Sequence, residues 1–315
     1  MEQIRVLFLG ASRFVGLMER FKAAAQKEGV EVELYSLEDN SPWHVVAAAG
    51  ICQVVSGPRF ADPAFAPFLL DLVKRQRINL VIPHIDPATV SLSKMKPELG
   101  RLGINAVVST DTLCSAMHDK LQADALFRQW NLPVPSGESW PQVAKPRFGS
   151  SSRGHVIFRD PDEFHFWRAR NRAEDYLIQP FLKGTEYSVD GFVSATGRVL
   201  GAVARVRVVV SGGEVMVAKT DRNEAVLGVT ERVLAKPGWH GPLNIQVMQT
   251  DSGPVLLEVN PRFGSGTTCA IEAGLDSPRW LIREFLGRSL PQEPLTWRSG
   301  LCMTRCRKDY FLWLS

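Results

Sequence analysis

The pattern of apolar segments changes character near residue 111, and no other feature limits the fold as much. Before that point, residues 4–10, 31–35, 51–55, 78–83 and 104–109 read as strands, and residues 14–27, 64–77 and 89–102 as helices. Strands alternating with helices predict a parallel, doubly wound α/β sheet. After it, a helix over residues 119–130 leads into strands joined by short turns, with helices over 161–171, 225–236 and 277–286. That order predicts an antiparallel α+β unit. A chain of 315 residues is long enough for two such units.

Composition narrows the class. The chain is 45% hydrophobic and 22% charged, as soluble globular proteins are. Its net charge of +4 is spread without a Lys/Arg run, so neither a nucleic acid nor a polybasic membrane contact is expected. No apolar stretch reaches 18 residues, so no transmembrane helix is expected, and "MEQIRVLFLGASR" enters a strand rather than a leader. Five scattered cysteines fit a reducing cytoplasm. Cys302 and Cys306 read as small apolar residues of a late strand, without a second pair to complete a metal site.

The stretch "NIQVMQTDSGPVLLEVNPRFGSG" carries the clearest chemistry. It reads as two strands joined by a three-residue loop, Asp251, Ser252 and Gly253. That register places Gln246 opposite Glu258. Residues two apart on a strand share a face, so Asn260 joins them, with Arg262 beside it if the chain stays extended past Pro261. A carboxylate and two amides suit a hard cation such as Mg²⁺, which also takes substrate phosphate oxygens. A solvated polar strand end is the plainer alternative.

Further segments gather phosphate-binding features. In "VAKPRFGSSSRGHV", Lys145 ends a strand and Gly149, Ser150, Ser151, Ser152 and Gly154 form a small-residue loop able to wrap phosphate, or a plain flexible hairpin loop. "YLIQPFLKGTEYSVDGF" joins two lobes through a linker where adenine can meet backbone groups. Pro180 lacks an N–H, so Phe181 is the expected donor there. "GASRFVG" has only Gly10 and Gly16, too few for a dinucleotide fingerprint. His84 and Asp86 follow a parallel strand's carboxyl end, where ligands bind in open α/β sheets, although Asp86 also suits a helix cap. Arg205 and Arg207 share a strand face, and a three-residue loop of Ser211, Gly212 and Gly213 sets Lys219 opposite Arg205. This is a candidate substrate-carboxylate site or a solvated strand face.

Taken together, "DK" (Asp119, Lys120), "VAKP…GSSSRG", "IQPFLKGTEYSVDGF", "NIQV" and "LLEVNPRFGSG" resemble the ATP-grasp superfamily, in its carbamoyl-phosphate-synthase-like branch. The resemblance implies a Rossmann-like pre-ATP-grasp domain over residues 1–112 and a two-lobed ATP-grasp domain over 113–315. Its first lobe, with the glycine loop, would span 113–183, and its second, with the metal site, 184–315. It implies that Lys120, Lys145 and the 149–154 loop bind the phosphates of ATP, and that Gln179, Phe181 and Leu182 line the adenine. Glu186 would hold the ribose. Gln246, Glu258 and Asn260 would hold Mg²⁺, which Mn²⁺ can replace, and Arg262 with Lys145 would stabilise the transferring phosphoryl. Many relatives carry Glu where Gln179 stands. The implied activity is an ATP-dependent ligase that makes an acyl phosphate and joins a small carboxylate to an amine or thiol. Asp86, Arg205, Arg207 and Lys219 are the candidate acceptor residues. Carboxylation or carbamoylation of a small substrate, or nucleotide binding without turnover, are the rival readings, and a homodimer is left open.

Overall fold

Strands β1 (Gln3–Leu9), β2 (Glu31–Glu38), β3 (Gln53–Ser56), β4 (Leu80–Pro83) and β5 (Asn105–Ala106) form a parallel sheet in the order β3-β2-β1-β4-β5. The computed structural model describes residues 3–39, 45–150, 152–212, 214–306 and 308–311. Side chains of β1 alternate between two cores, as a strand covered on both faces requires. Ile4, Val6 and Phe8 enter one core, while Leu7 and Leu9 enter the other. The strand order reverses about β1, so the loops after β1 and β4 open a crevice at their carboxyl ends.

The helices of this part are α1 (Val15–Lys27), α2 (Val45–Ala48), α3 (Phe65–Arg75), α4 (Asp86–Arg101) and α5 (Asp111–His118). Helices α2 and α5 were not anticipated, since a four-residue and an eight-residue helix give little periodicity to read. Helix α4 begins three residues before the expected 89, because Pro87 sits in its first turn, where a missing N–H costs nothing.

Helix α6 (Lys120–Gln129) opens the second part and is capped by the Asp119 carboxylate, which accepts from the N–H groups of Leu121 and Gln122. A small antiparallel sheet follows, in the order β7 (Val156–Phe158), β6 (Gln142–Pro146), β8 (Tyr176–Pro180), with α7 (Pro161–Arg168) beside it. The larger sheet runs β13 (Gly253–Asn260), β12 (Gly241–Thr250), β9 (Thr185–Val193), β10 (Val199–Ser211), β11 (Glu214–Thr220), β14 (Cys302–Thr304). Helices α8 (Glu224–Leu234), α9 (Thr267–Glu272) and α10 (Ser277–Phe285) pack on it.

Helix α1 packs against α9 and α10, so one hydrophobic core runs from Phe8 and Phe21 through Phe263 and Trp280 to Val259. Phe21 meets Phe263 edge-on at 6.1 Å between ring centroids. The two parts are therefore joined by apolar burial, not merely by a linker.

Both hairpin loops differ from expectation. The β12–β13 loop has two residues, with Thr250 paired to Gly253, and a bulge between Gln246 and Val247 restores the Gln246–Glu258 pairing. The β10–β11 hairpin closes with Ser211 paired to Glu214, around Gly212 and Gly213, and Gly213 lies outside the described residues. With a further irregularity between Arg207 and Val209, Lys219 pairs with Val206 and Arg205 with Thr220. Cys302 is in a strand as expected, but it and Cys306 are exposed, because that strand lies at the sheet's edge. All five cysteines are free, and among the described residues no helix is long and apolar enough to cross a membrane.

Candidate functional site

A cavity of about 840 Å³ lies where the three sheets meet. Its walls include Gly10, His84 and Asp86 from the parallel sheet, Lys145, Gln179 and the loop residues Gly149, Ser150 and Ser152 from the small sheet, and Gln246, Glu258, Asn260 and Arg262 from the large one. Residues spread over more than 250 positions of sequence thus converge on one space.

The residues expected to hold a metal come together. Gln246 pairs with Glu258, and Asn244 with Asn260, at the end of β12–β13. Burial is the largest influence on Glu258 and raises its pKa. Asp86 raises it further, against Lys120, Arg262 and Lys145. An incoming cation would relieve that cost by favouring the carboxylate. Among the described residues no cluster of three His, Cys, Asp or Glu could hold a metal, so this donor set is one carboxylate and two amides. Such a set fits Mg²⁺ when phosphate oxygens complete the shell.

Arg262 reaches this group by a turn, not by an extended chain. Its backbone N–H donates to the Asn260 carbonyl at 2.8 Å, folding the chain about Pro261. Its guanidinium grips Asp86 at two points, Nε to Oδ1 at 2.6 Å and Nη2 to Oδ2 at 3.0 Å. Nη2 also donates to Asn260 Oδ1 at 3.1 Å, and Nη1 to the Phe263 carbonyl at 3.2 Å. Burial works against charge on Asp86, yet Arg262 overcomes it and holds the carboxyl below its usual range. Asp86 is the first residue of α4, but no side chain caps that helix, so the capping alternative is not realised.

The phosphate side is tied together by the "DK" pair. Lys120 donates from Nζ to the Gly149 carbonyl at 2.6 Å, and from its backbone to the Arg147 carbonyl at 3.0 Å. Asp119 holds the Arg147 guanidinium at 2.6 Å. One helix end thereby anchors the start of the glycine loop. Lys145 Nζ donates to Gln179 Oε1 at 3.2 Å. Burial lowers the Lys145 pKa, while Glu258 pulls it back up. Gly154 does not line the cavity, and Ser151 lies outside the described residues.

On the adenine side two expectations change. The Phe181 N–H donates to the Pro141 carbonyl at 2.8 Å and is not free for a ligand. The Gln179 carbonyl is taken by Lys145, and its amide donates to Asp124 Oδ1 at 2.8 Å. Phe181, Leu182 and Glu186 still line the cavity, and Glu186 is paired with Arg207. The chain's packing needs, which a linear reading does not contain, engaged this donor and this acceptor.

The four candidate acceptor residues separate. Asp86 and Arg207 line the cavity; Arg205 and Lys219 do not. Lys219 is exposed, while Arg205 is buried and pairs with Asp190 at 2.8 Å. The one-residue change in pairing puts them on opposite faces. Asp190 also accepts from Asn244 Nδ2 at 3.1 Å. This buried network supports the segment after Arg262. A Cβ on Gly264 would lie 2.6 Å from Asn244 Nδ2, and one on Gly266 2.6 Å from the Arg205 guanidinium. Only glycine lets the backbone approach so closely.

Sequence reasoning missed Asp124, Arg147 and His155. Lys120 and Asp124 are four apart on one helix, a spacing that could have disclosed their shared face. His155 follows Gly154 directly, and burial, then Lys145, lowers its pKa to about 4. His84 was noted in sequence, but it is fully enclosed against Phe14, and burial, then Arg262, lowers its pKa to about 3. It is a neutral ring at physiological pH.

Residues 172–308 match the family described as "ATP-grasp in the biosynthetic pathway with Ter operon". The carbamoyl phosphate synthase large chain of Clostridium perfringens (strain 13 / Type A) is 22% identical over 267 residues, covering 76% of this chain and 24% of that protein. The D-alanine–D-alanine ligase of Petrotoga mobilis is 26% identical over 145 residues, covering 40% of this chain and 48% of that one. This chain thus spans between a quarter and a half of the length of these curated relatives. Among solved structures, the biotin carboxylase domain of Hydrogenobacter thermophilus 2-oxoglutarate carboxylase, with MgADP, ADP and bicarbonate, superposes with a TM-score of 0.70 at 15% identity, covering 92% of this chain and 71% of that one. The N5-carboxyaminoimidazole ribonucleotide synthetase of Thermus thermophilus does so at 0.67 and 18%, covering 91% and 79%.

Proposed function

We propose that this chain, which matches an ATP-grasp family over residues 172–308 and shares the fold of a biotin carboxylase domain, is an ATP-dependent ligase that activates a small carboxylate and joins it to an amine. The observation that carries the reading is the meeting of Lys120, Lys145, Glu258, Asn260 and Arg262 with a glycine loop around one cavity. The division into a pre-ATP-grasp part (1–112) and an ATP-grasp part (113–315) goes with it, as does a cytoplasmic setting for five free cysteines.

In this reading a carboxylate oxygen attacks the γ-phosphorus of ATP, the bond to the bridging oxygen breaks, and ADP leaves. The amine then attacks the acyl carbon, phosphate departs, and the amine loses a proton. Lys120 and Lys145 place positive charge beside the phosphates, and Arg262 supplies charge and an N–H donor where charge develops on the transferring group. Glu258, with Gln246 and Asn260, would hold Mg²⁺, which when bound neutralises phosphate charge. Leu182 and Phe181 offer apolar surface to adenine, and the 149–154 loop excludes water from the reactive acyl phosphate.

The test is a matrix of small carboxylates, bicarbonate included, against amines, reading ADP release. Carboxylate labelled with ¹⁸O should deliver one label into the phosphate released. ADP release indifferent to the carboxylate, or phosphate without label, overturns the reading. Tight MgATP binding with no release for any pair would favour a nucleotide-binding protein without turnover.

A further inference from the structure

The Asp86–Arg262 contact has features that neither the metal group nor the phosphate loop requires. Asp86 opens helix α4 just after β4 and Arg262 lies in the turn after β13, 176 positions apart. Both are largely enclosed, with side chains 19% and 15% exposed, and both line the cavity. A guanidinium carries five N–H donors. Four are committed here, two to Asp86, one to Asn260 and one to the Phe263 carbonyl, which leaves one Nη1 hydrogen for a ligand among the described residues. The planar two-point pair fixes the guanidinium plane, which a single bond to Asn260 would not do. The Phe263 side chain is locked between Phe21 and His84. The guanidinium is therefore held by Asp86 of the parallel-sheet part together with Asn260 and the Phe263 carbonyl of its own part, and the next side chain, Phe263, packs back onto the parallel-sheet part.

We propose that Asp86 is the positioning residue of Arg262, setting from the parallel-sheet part the direction in which that arginine presents its remaining donor to the transferring phosphoryl group. Asp86 then acts through Arg262 and does not itself contact the acceptor. The inference rests on the phosphoryl-transfer reading above. It adds that the catalytic geometry depends on the contact between the two parts of the chain.

The test needs no substrate pair. MgADP affinity is measured by calorimetry with and without aluminium fluoride, which with MgADP mimics the phosphoryl group in transfer. The wild type should bind MgADP more tightly with fluoride. Asp86→Asn and Arg262→Ala should each lose about 10- to 100-fold of that gain, read as the ratio of each variant's MgADP affinity with fluoride to its own affinity without it. In the Arg262→Ala background Asp86→Asn should cost nothing more. Millimolar guanidinium should recover part of the gain in Arg262→Ala, and none in the double variant. If Asp86→Ala fails to fold, Asp86→Asn, which keeps the shape, still decides. A full fluoride gain in Asp86→Asn overturns the proposal, and so does a loss that adds to that of Arg262→Ala. A wild type with no fluoride gain overturns the phosphoryl-transfer reading itself, and the proposal with it.

Discussion

Two carboxylates of the parallel-sheet part meet arginines of the large-sheet part, and they do different work. Glu28, just past the end of α1, is 3% exposed and is gripped by Arg279 at 2.5 Å, Arg288 at 2.9 Å and Arg283 at 3.0 Å. Asp86 meets one arginine, and that arginine also donates to Asn260. Burial opposes charge on Glu28, but its three partners carry its pKa down to about 2. Arg288 also donates to the Glu28 backbone carbonyl at 2.7 Å, where cations complement a helix C-terminus. The first cluster saturates its carboxylate and stands apart from the large cavity; the second lies on that cavity's wall. In the proposed reading the same kind of ion pair fastens in one place and aims in the other, the difference being whether the arginine stands on the wall of the large cavity.

The largest effect that would test this contrast is on rate. Arg262→Ala should lower single-turnover phosphoryl transfer by about 100- to 1,000-fold, roughly 3–4 kcal/mol, with little change in ATP affinity. A rate loss accounted for by weaker ATP binding would put Arg262 in the fastener class. Asp86 borders the cavity and can rehydrate, so the unfolding free energy should change less than the barrier.

Glu28→Gln should do the reverse. It leaves three arginines around a neutral group and should cost about 2–3 kcal/mol in urea unfolding, discounted because the arginines are partly exposed, with turnover unchanged. The pH dependence follows from sign. The folded pKa near 2 lies below the ordinary 4.5, so Glu28 stabilises fully above pH 4.5, and that share is lost as pH falls from there towards 2. The Gln variant should lack this acid-sensitive share. A turnover defect in Glu28→Gln would erase the distinction.

A smaller effect concerns Glu258. Its raised pKa means that it holds a proton to higher pH than an ordinary carboxylate, and a bound cation needs it ionised. Mg²⁺ affinity of the ATP complex should therefore fall by about tenfold per pH unit once pH drops below that raised value. Glu258→Gln should bind Mg²⁺ weakly and without this slope. A slope that survives the substitution would move the titration to another group.

The smallest is at Glu186, which Arg207 already holds. Glu186→Gln should weaken ATP by about 3- to 10-fold, and a 2′,3′-dideoxy analogue not at all. Equal losses for both would remove Glu186 from the ribose.

Much of this was written locally. The parallel and antiparallel parts were readable because strand–helix alternation and hairpin punctuation are short-range signals. Gln246, Glu258 and Asn260 were readable because cross-strand neighbours follow from register, even though a two-residue loop and a bulge replaced the expected three-residue loop. One residue of error in the β10–β11 hairpin was not compensated near Arg205 and Lys219, and it sent them to opposite faces.

The sequence by itself determined most of the elements, though not α2 or α5, together with the glycine loop, the "DK" pair and the oxygen-rich strand end, because each depends on residues a few positions apart. Tertiary structure decided how the donors and acceptors were used. Phe181 gave its N–H to Pro141, Gln179 its carbonyl to Lys145, and Arg262 its guanidinium edge to Asp86. Every buried polar group must find a partner, and the partner is whichever group the fold brings within about 3 Å, at whatever distance along the chain.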